Sequence, residues 1–308
     1  MNSLMFRPGY IRLHRSGELR IRGEALWDIL KDCRLCPREC RVNRLEGEKG
    51  VCNATSTLKV ASCHTHFGEE RGLVGSGGSG TIFLSHCNLG CIFCQNWDIS
   101  HGGAGTEVEI GDLSRMMLEL QEQGCHNINM VTPTHFSPHI LLALDEAVGR
   151  GLSLPLVWNT CGWEREEILN LLDGVVDIYL ADLKYMDSAM SARYSSDAAD
   201  YPEVTRAALL EMNRQVGVAT PGTGGVISRG LMIRQLVMPS GVSGSVEAMR
   251  WIAGNLPPNT YVNIMIQYRP AYRVYLYPEI DRYIDREEYM EVVKAARSFG
   301  LTNLDTDL

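Results

Sequence analysis

Ten cysteines in 308 residues are the first feature with chemical potential, and seven of them fall into two tight groups. Cys87, Cys91 and Cys94 stand in the run Cys-Asn-Leu-Gly-Cys-Ile-Phe-Cys, a C-x3-C-x2-C spacing. Three thiolates this close cannot converge from an extended strand, whose side chains alternate between faces, but they can from a loop wrapped around a metal. Thiolates suit iron–sulfur clusters and zinc. A structural zinc site is closed by four ligands. Here the motif supplies three, so an iron–sulfur cluster held this way keeps one metal position open for a substrate. Two other readings stand beside it: a zinc site completed by His86 or His101, and three buried structural thiols.

The second group is Cys33-x2-Cys36-x3-Cys40-x11-Cys52, with Gly47 and Gly50 opening the turn before the last member. Four thiolates in twenty residues read as a closed metal site, zinc by default and an auxiliary iron–sulfur cluster as the alternative. A redox or untied cysteine cluster is the third reading. Cys63, His64 and His66 lie near enough in sequence to add a ligand or line an entrance, but read first as a loop or strand edge. Cys125 and Cys161 read as small buried hydrophobes.

The elements that position these groups change character along the chain. Residues 1–74 are a cysteine-rich segment of irregular pattern, with a short amphipathic helix over 24–32 leading into Cys33. From 75 to 308 short apolar runs alternate with helical periodicity. Strands are expected over 81–85, 127–131, 154–158, 176–180, 231–237 and 261–266. Helices are expected over 111–123, 137–149, 163–172, 201–215, 244–255 and 286–299. Leu113, Met116, Met117 and Leu120 mark one buried helix face. The run from Val176 is almost continuously apolar, as in a parallel strand covered on both sides. Six strand–helix units in series imply an α/β fold with right-handed crossovers: a partial (βα)6 TIM-like barrel or an open sheet. No G-x-G-x-x-G follows the first strand, which disfavours a dinucleotide-binding half. The long loops 95–110 and 216–230 read as functional.

In such a barrel, chemistry collects at the C-terminal strand ends. The second strand ends in Thr132-Pro133-Thr134-His135, the third in Asn159-Thr160-Cys161-Gly162 and the fourth in Ala181-Asp182-Leu183-Lys184. The fifth carries Arg234 and the sixth ends in Gln267-Tyr268-Arg269. Asp182 and Lys184 could be a surface ion pair, and Arg234 the partner of a buried carboxylate. His135 could contact a ligand, donate a proton or merely start a helix.

The three-cysteine loop resembles the signature of the radical SAM superfamily. That resemblance implies a [4Fe–4S] cluster on Cys87, Cys91 and Cys94, with the open iron chelating S-adenosylmethionine. One electron from the cluster would split the sulfonium and yield a 5′-deoxyadenosyl radical. Phe93 sits where the family places an aromatic residue beside the adenine. From about Gly80 to Gly300 the strand ends resemble the pyruvate formate-lyase activating-enzyme group, an oxidoreductase branch served by flavodoxin- or ferredoxin-type electron donors. In that group's pattern Lys184 approaches the methionyl carboxylate and Asp182 a monovalent cation, and Arg234 lies near S-adenosylmethionine. Asn159 and Thr160 stand where the group has Asp-Thr, so one charge of the cation site is missing. The Gly-Gly-Glu that receives the methionyl amino group is replaced, leaving Thr132, Thr134 and backbone carbonyls for that role. The N-terminal cysteine pattern resembles an uncharacterised branch of the same relatives. The implied reaction is hydrogen abstraction from a glycine of a partner protein. The alternatives are radical modification of a peptide or small metabolite, and a non-catalytic metal scaffold.

A net charge of −8 disfavours a general nucleic-acid surface. Residues 1–50 carry 11 Lys/Arg against 7 Asp/Glu, a net of +4 (11 − 7) that is expected to fold back on an acidic body. No run of eighteen apolar residues suggests a membrane span, and the stretch MNSLMFRPGYIRLHR lacks an apolar signal core. A cytoplasmic location is therefore expected.

Overall fold

A computed structural model describes residues 6–306. Residues 1–5, the start of the stretch that lacks a signal core, and 307–308, the end of the range 75–308, lie outside the described residues.

The strands are β1 (Lys59–His66), β2 (Ser79–Leu84), β3 (Thr106–Glu107), β4 (Ile128–Val131), β5 (Leu156–Thr160), β6 (Ile178–Asp182), β7 (Gly230–Leu236), β8 (Tyr261–Met265) and β9 (Leu304–Thr306). Among the described residues they form one nine-stranded sheet in the order β3-β1-β2-β4-β5-β6-β7-β8-β9. From β2 onward every pairing is parallel, while β1 runs antiparallel to both β2 and β3. The six expected strands are all present as the centre of this sheet. Helices Ile110–Glu122, Ser137–Gly149, Glu166–Leu172, Tyr201–Val216, Ser245–Asn255 and Arg286–Ser298 cover it, close to the expected ranges. The architecture is the partial TIM-like barrel.

Local chemistry explains these elements. Glu109 and Asp112 form a capping box at the start of Ile110–Glu122, and Leu113, Met117 and Leu120 of that helix are buried. Met116 is only partly buried at its edge. Every residue of β5 and β6 is buried, which is why those runs show no polar alternation.

The N-terminal segment is not set apart from the barrel. Helix Glu18–Asp28 lies on helix Ser137–Gly149 so closely that a Cβ on Gly23 would stand 2.9 Å from Leu142 Cδ2. Tyr10, Leu19, Leu26 and Leu30 share one core with the barrel helices. Gly9 N–H and Leu156 N–H both donate to the buried Asp177 carboxylate, at 3.2 and 3.0 Å. The basic stretch does lie on the body: His14 meets Asp145 at 2.7 Å, and Arg22 donates to the carbonyls of Leu171 and Asp173. Residues 59–66, inside the irregular stretch by sequence, are the antiparallel strand β1.

Candidate active site

The three-cysteine loop follows β2 directly. His86 turns the chain with φ +74°, a left-handed conformation uncommon for a non-glycine residue. Gly90 has φ +67°, and a Cβ there would meet Ser196 Oγ at 2.7 Å. The loop is tied back by Ile92 N–H to the Tyr194 carbonyl at 2.9 Å. All three thiols line one cavity of about 750 Å³ at the C-terminal ends of the strands. Each sulfur already has a donor: Leu89 N–H to Cys87 at 3.4 Å, Ser195 hydroxyl to Cys91 at 3.1 Å and Ser100 hydroxyl to Cys94 at 3.2 Å. Burial pushes the Cys91 thiol up to about 12, against the opposing charge of Lys184. The free thiol is therefore protonated at neutral pH, and metal binding must release its proton.

The same cavity collects Thr132, Asn159, Asp182, Lys184 and Arg234. Register explains why. Asp182 pairs with Arg234 across β6 and β7, and Arg234 with Asn263 across β7 and β8. Asp182 Oδ1 accepts from Arg234 Nε at 2.7 Å and Oδ2 from Lys184 Nζ at 2.5 Å. Arg234 Nη2 donates to Asn159 Oδ1 at 2.7 Å. Burial raises the Asp182 carboxyl, but the charges of Arg234 and Lys184 outweigh it and hold the group below its ordinary value. The Asp182–Lys184 pair is buried inside the barrel mouth, not on the surface. Arg234 serves as the partner of a buried carboxylate and also faces the cavity. Thr132 is held at φ +58°, which for a β-branched residue stores about 1–3 kcal/mol of strain at the rim.

Other expected residues are placed differently. Thr134 does not line the cavity; its hydroxyl donates to buried Glu164 at 2.7 Å. Thr160 lines the cavity, yet its hydroxyl also goes to Glu164, at 2.6 Å. His135 sits in the 3-10 turn that leads into helix Ser137–Gly149, with Nε2 at 2.8 Å from the Ser85 carbonyl. It lines the small N-terminal cysteine cavity instead. Phe93 lines the cavity while packing near Tyr268 and Tyr185. Cys125 is buried as expected, but Cys161 faces the cavity. Loop 95–110 contributes Gln95, Asn96, Ile99 and Ser100 to the lining. Loop 216–230 does not; it precedes β7, at the opposite end of the sheet.

Sequence reasoning missed Glu69 and Glu70, which reach the cavity from the turn after β1. Glu69 Oε1 accepts from Asn159 Nδ2 at 3.4 Å, and Glu69 Oε2 lies 3.8 Å from Arg234. Glu70 Oε1 accepts from Asn263 Nδ2 at 3.1 Å. Burial pushes the Glu69 carboxyl up to about 7, with Arg234 opposing and the Glu70 charge adding. Only the antiparallel pairing of β1 brings this pair to the site, and no local spacing announces such pairing.

Among the described residues, no group of three or more His, Cys, Asp or Glu side chains is arranged to hold a single metal ion. A tetrahedral zinc at 2.3 Å from each sulfur draws thiolates to about 3.8 Å from one another. An iron–sulfur cluster spreads its cysteines wider. Three thiols opening on one cavity, each with a donor on sulfur, fit a thiolate-held cluster, and His101 is not gathered with them. His101 Nε2 lies instead 2.9 Å from the Cys91 carbonyl.

Known proteins decide the family. The sequence profile of the radical SAM superfamily matches residues 81–226. An uncharacterized protein of Methanocaldococcus jannaschii is 32% identical over 292 residues, covering 92% of this chain and 79% of that one. The chain belongs to the radical SAM superfamily. Members are enzymes, and membership implies a [4Fe–4S] cluster and S-adenosylmethionine. A solved radical SAM methyltransferase from Sphaerobacter thermophilus aligns over 96% of this chain and 91% of its own, at 14% identity and a TM-score of 0.48. That likeness is too distant to bear on the reaction. No helix among the described residues is long and apolar enough to cross a membrane.

Proposed function

We propose that this radical SAM protein binds S-adenosylmethionine in the 750 Å³ cavity, against a cluster held by Cys87, Cys91 and Cys94, and abstracts hydrogen from a glycine of a partner protein. The observation that carries the cofactor reading is the convergence of the three thiols and the Asp182–Lys184–Arg234 network on one cavity. Cys87, Cys91 and Cys94 would hold the cluster, which when bound would supply the one electron needed for reductive cleavage of the sulfonium.

The chain's own residues do the rest. Lys184 presents an ammonium for the methionyl carboxylate, and Asp182 and Tyr201 fix that lysine: Asp182 pairs with its Nζ, and the Tyr201 hydroxyl accepts from its backbone N–H at 2.9 Å. Arg234 holds Asp182 and Asn159 in register. With Asn159 in place of an acid, and the Thr160 hydroxyl committed to Glu164, a monovalent cation here would rest mainly on Asp182. Thr132, Asn159 and the Glu69 carboxylate line the cavity and offer acceptors for the methionyl amino group. A buried, largely apolar shell of Phe93, Trp163, Tyr185 and Tyr268 excludes water on the cysteine side. The glycine-abstraction reading rests on the resemblance of Asp182-x-Lys184 and Arg234 to the activating-enzyme pattern, although these residues act here on S-adenosylmethionine. An electron donor of the flavodoxin or ferredoxin type belongs to the same reading.

Glu69, Glu70 and Asp305 on the cavity wall favour a second reading, a small substrate or peptide bearing a cationic group. Deuterium separates the two. The reduced enzyme is given S-adenosylmethionine with extract from cells of the source organism grown on glycine deuterated at Cα. Label entering 5′-deoxyadenosine from the protein fraction supports glycine abstraction. Transfer confined to the small-molecule filtrate supports the second reading and overturns the first.

A further inference from the structure

Arg44 is 1% exposed, and among the described residues it has no carboxylate partner. Its guanidinium donates to the Thr55 carbonyl at 2.7 Å and the His135 carbonyl at 2.7 Å. Nη1 also lies 3.9 Å from Cys33 Sγ. A buried cation without a counter-charge is strongly destabilising, and carbonyl dipoles offset only part of that. The open side of this guanidinium looks into a small cavity ringed by Cys33, Cys36, Cys40 and Cys52. Four neutral thiols would leave Arg44 unbalanced. Four thiolates around a dicationic centre carry a net charge of about −2 and supply the missing anion.

The backbone there is shaped for sulfur at a common point. Glu39 and Arg41, on either side of Cys40, have φ +40° and +61°, and Asn53, after Cys52, has φ +60°. Left-handed conformations at three non-glycine residues are unfavourable and persist only where the surroundings impose them. Val51 N–H donates to Cys40 Sγ at 3.4 Å, and a Cβ on Gly50 would stand 2.6 Å from that sulfur. Such strain is retained where something holds the loop. Cys40, however, is not drawn with its neighbours into a single-ion site, and neither is any other group of ligating side chains among the described residues. A ring of thiols around a void, not gathered on one ion, suits a polynuclear centre.

The same loop grips the radical-cluster loop. Arg38, between Cys36 and Cys40, donates to the carbonyls of Asn88 at 3.0 Å, Leu89 at 3.1 Å and Ser195 at 3.1 Å, and also to that of Ser196. Its guanidinium lies 4.7 Å over the Trp163 ring. Ser195 in turn bonds Cys91.

We propose that Cys33, Cys36, Cys40 and Cys52 hold a second iron–sulfur cluster, charge-balanced by Arg44, whose loop braces the radical-cluster loop through Arg38. The full-length variant carrying Cys87→Ala, Cys91→Ala and Cys94→Ala isolates this centre. After anaerobic reconstitution with iron and sulfide in the presence of zinc, it should keep about four iron and four sulfide per chain, with a visible band bleached by dithionite. Adding Cys36→Ser should remove them. Because that variant could simply misfold, the wild-type count decides independently: about eight iron is expected, and about four would overturn the proposal. One zinc and no iron in the triple variant, or neither metal, also overturns it. These counts do not depend on S-adenosylmethionine cleavage, so a failure of the radical reading and a failure of this one are told apart.

Discussion

Lys184 shows how a single residue joins the two halves of the site. It is paired with Asp182 at 2.5 Å, lines the cavity and lies within electrostatic reach of Cys91. Lys184→Ala should leave the iron content of the 87–94 cluster unchanged. It should weaken S-adenosylmethionine binding by about tenfold or more, the worth of a charge-assisted hydrogen bond. Equilibrium dialysis reads the outcome, and unaltered affinity would remove Lys184 from the binding machinery. Arg234→Met asks a different question. It leaves Asp182, Glu69 and Glu70 gathered with one cation fewer, so denaturant unfolding should show a loss of about 3 kcal/mol or more. Asp182, Lys184 and Arg234 were legible because each ends or lies within an apolar run, where a charged residue has few structural reasons to be. Glu69 and Glu70 carried no such mark in a polar turn. Thr134 carried a false one, since a hydroxyl beside the second strand end serves Glu164 as well as it could serve a ligand.

At the scale of elements, the parallel strands were readable from apolar runs because both faces of β5 and β6 are covered. β1 and β9 were not. β1 alternates polar residues at a lateral position, and β9 is three residues long, too short for any periodicity. Two junctions between elements are testable. Gly162 follows β5 with φ +82°, and a Cβ there would stand 2.1 Å from the Asp182 carbonyl of β6. Gly162→Ala should therefore displace the strand end that carries Asp182, lowering both thermal stability and S-adenosylmethionine affinity. Wild-type affinity in that variant would show that the two strand ends move independently. Arg38→Gln removes most of the brace on the loop of residues 87–94. Iron content should hold while the electron paramagnetic resonance lines of the reduced radical cluster broaden or shift. An unchanged spectrum would mean that Arg38 stabilises the fold without positioning the loop.

For the whole molecule, the N-terminal segment is part of the core and carries its own pH dependence. His139, packed near Trp27 of helix Glu18–Asp28, donates its Nε2–H to the Ser56 carbonyl at 2.7 Å. Burial pushes His139 down to about 4. The unfolded chain takes up this proton below about 6.5 and the folded chain only below about 4, so stability is lost as pH falls through that window. Asp177 works the other way: burial raises it to about 7, so its contribution weakens as pH rises from about 4 toward 7. His139→Gln should isolate the first effect, reducing the stability lost between about pH 7 and pH 5 by on the order of 1–2 kcal/mol. An identical pH profile in the variant would show that folding does not lower the proton affinity of His139. The central claim about the whole molecule is that the three thiols and the strand-end network make one site for S-adenosylmethionine. Its most direct measurement is product release by anaerobically reconstituted protein given dithionite and S-adenosylmethionine. Methionine and 5′-deoxyadenosine should appear together in equal amounts, and Cys91→Ala should form neither. Full product formation by Cys91→Ala, or none by a wild-type protein carrying its full complement of iron, would contradict the claim.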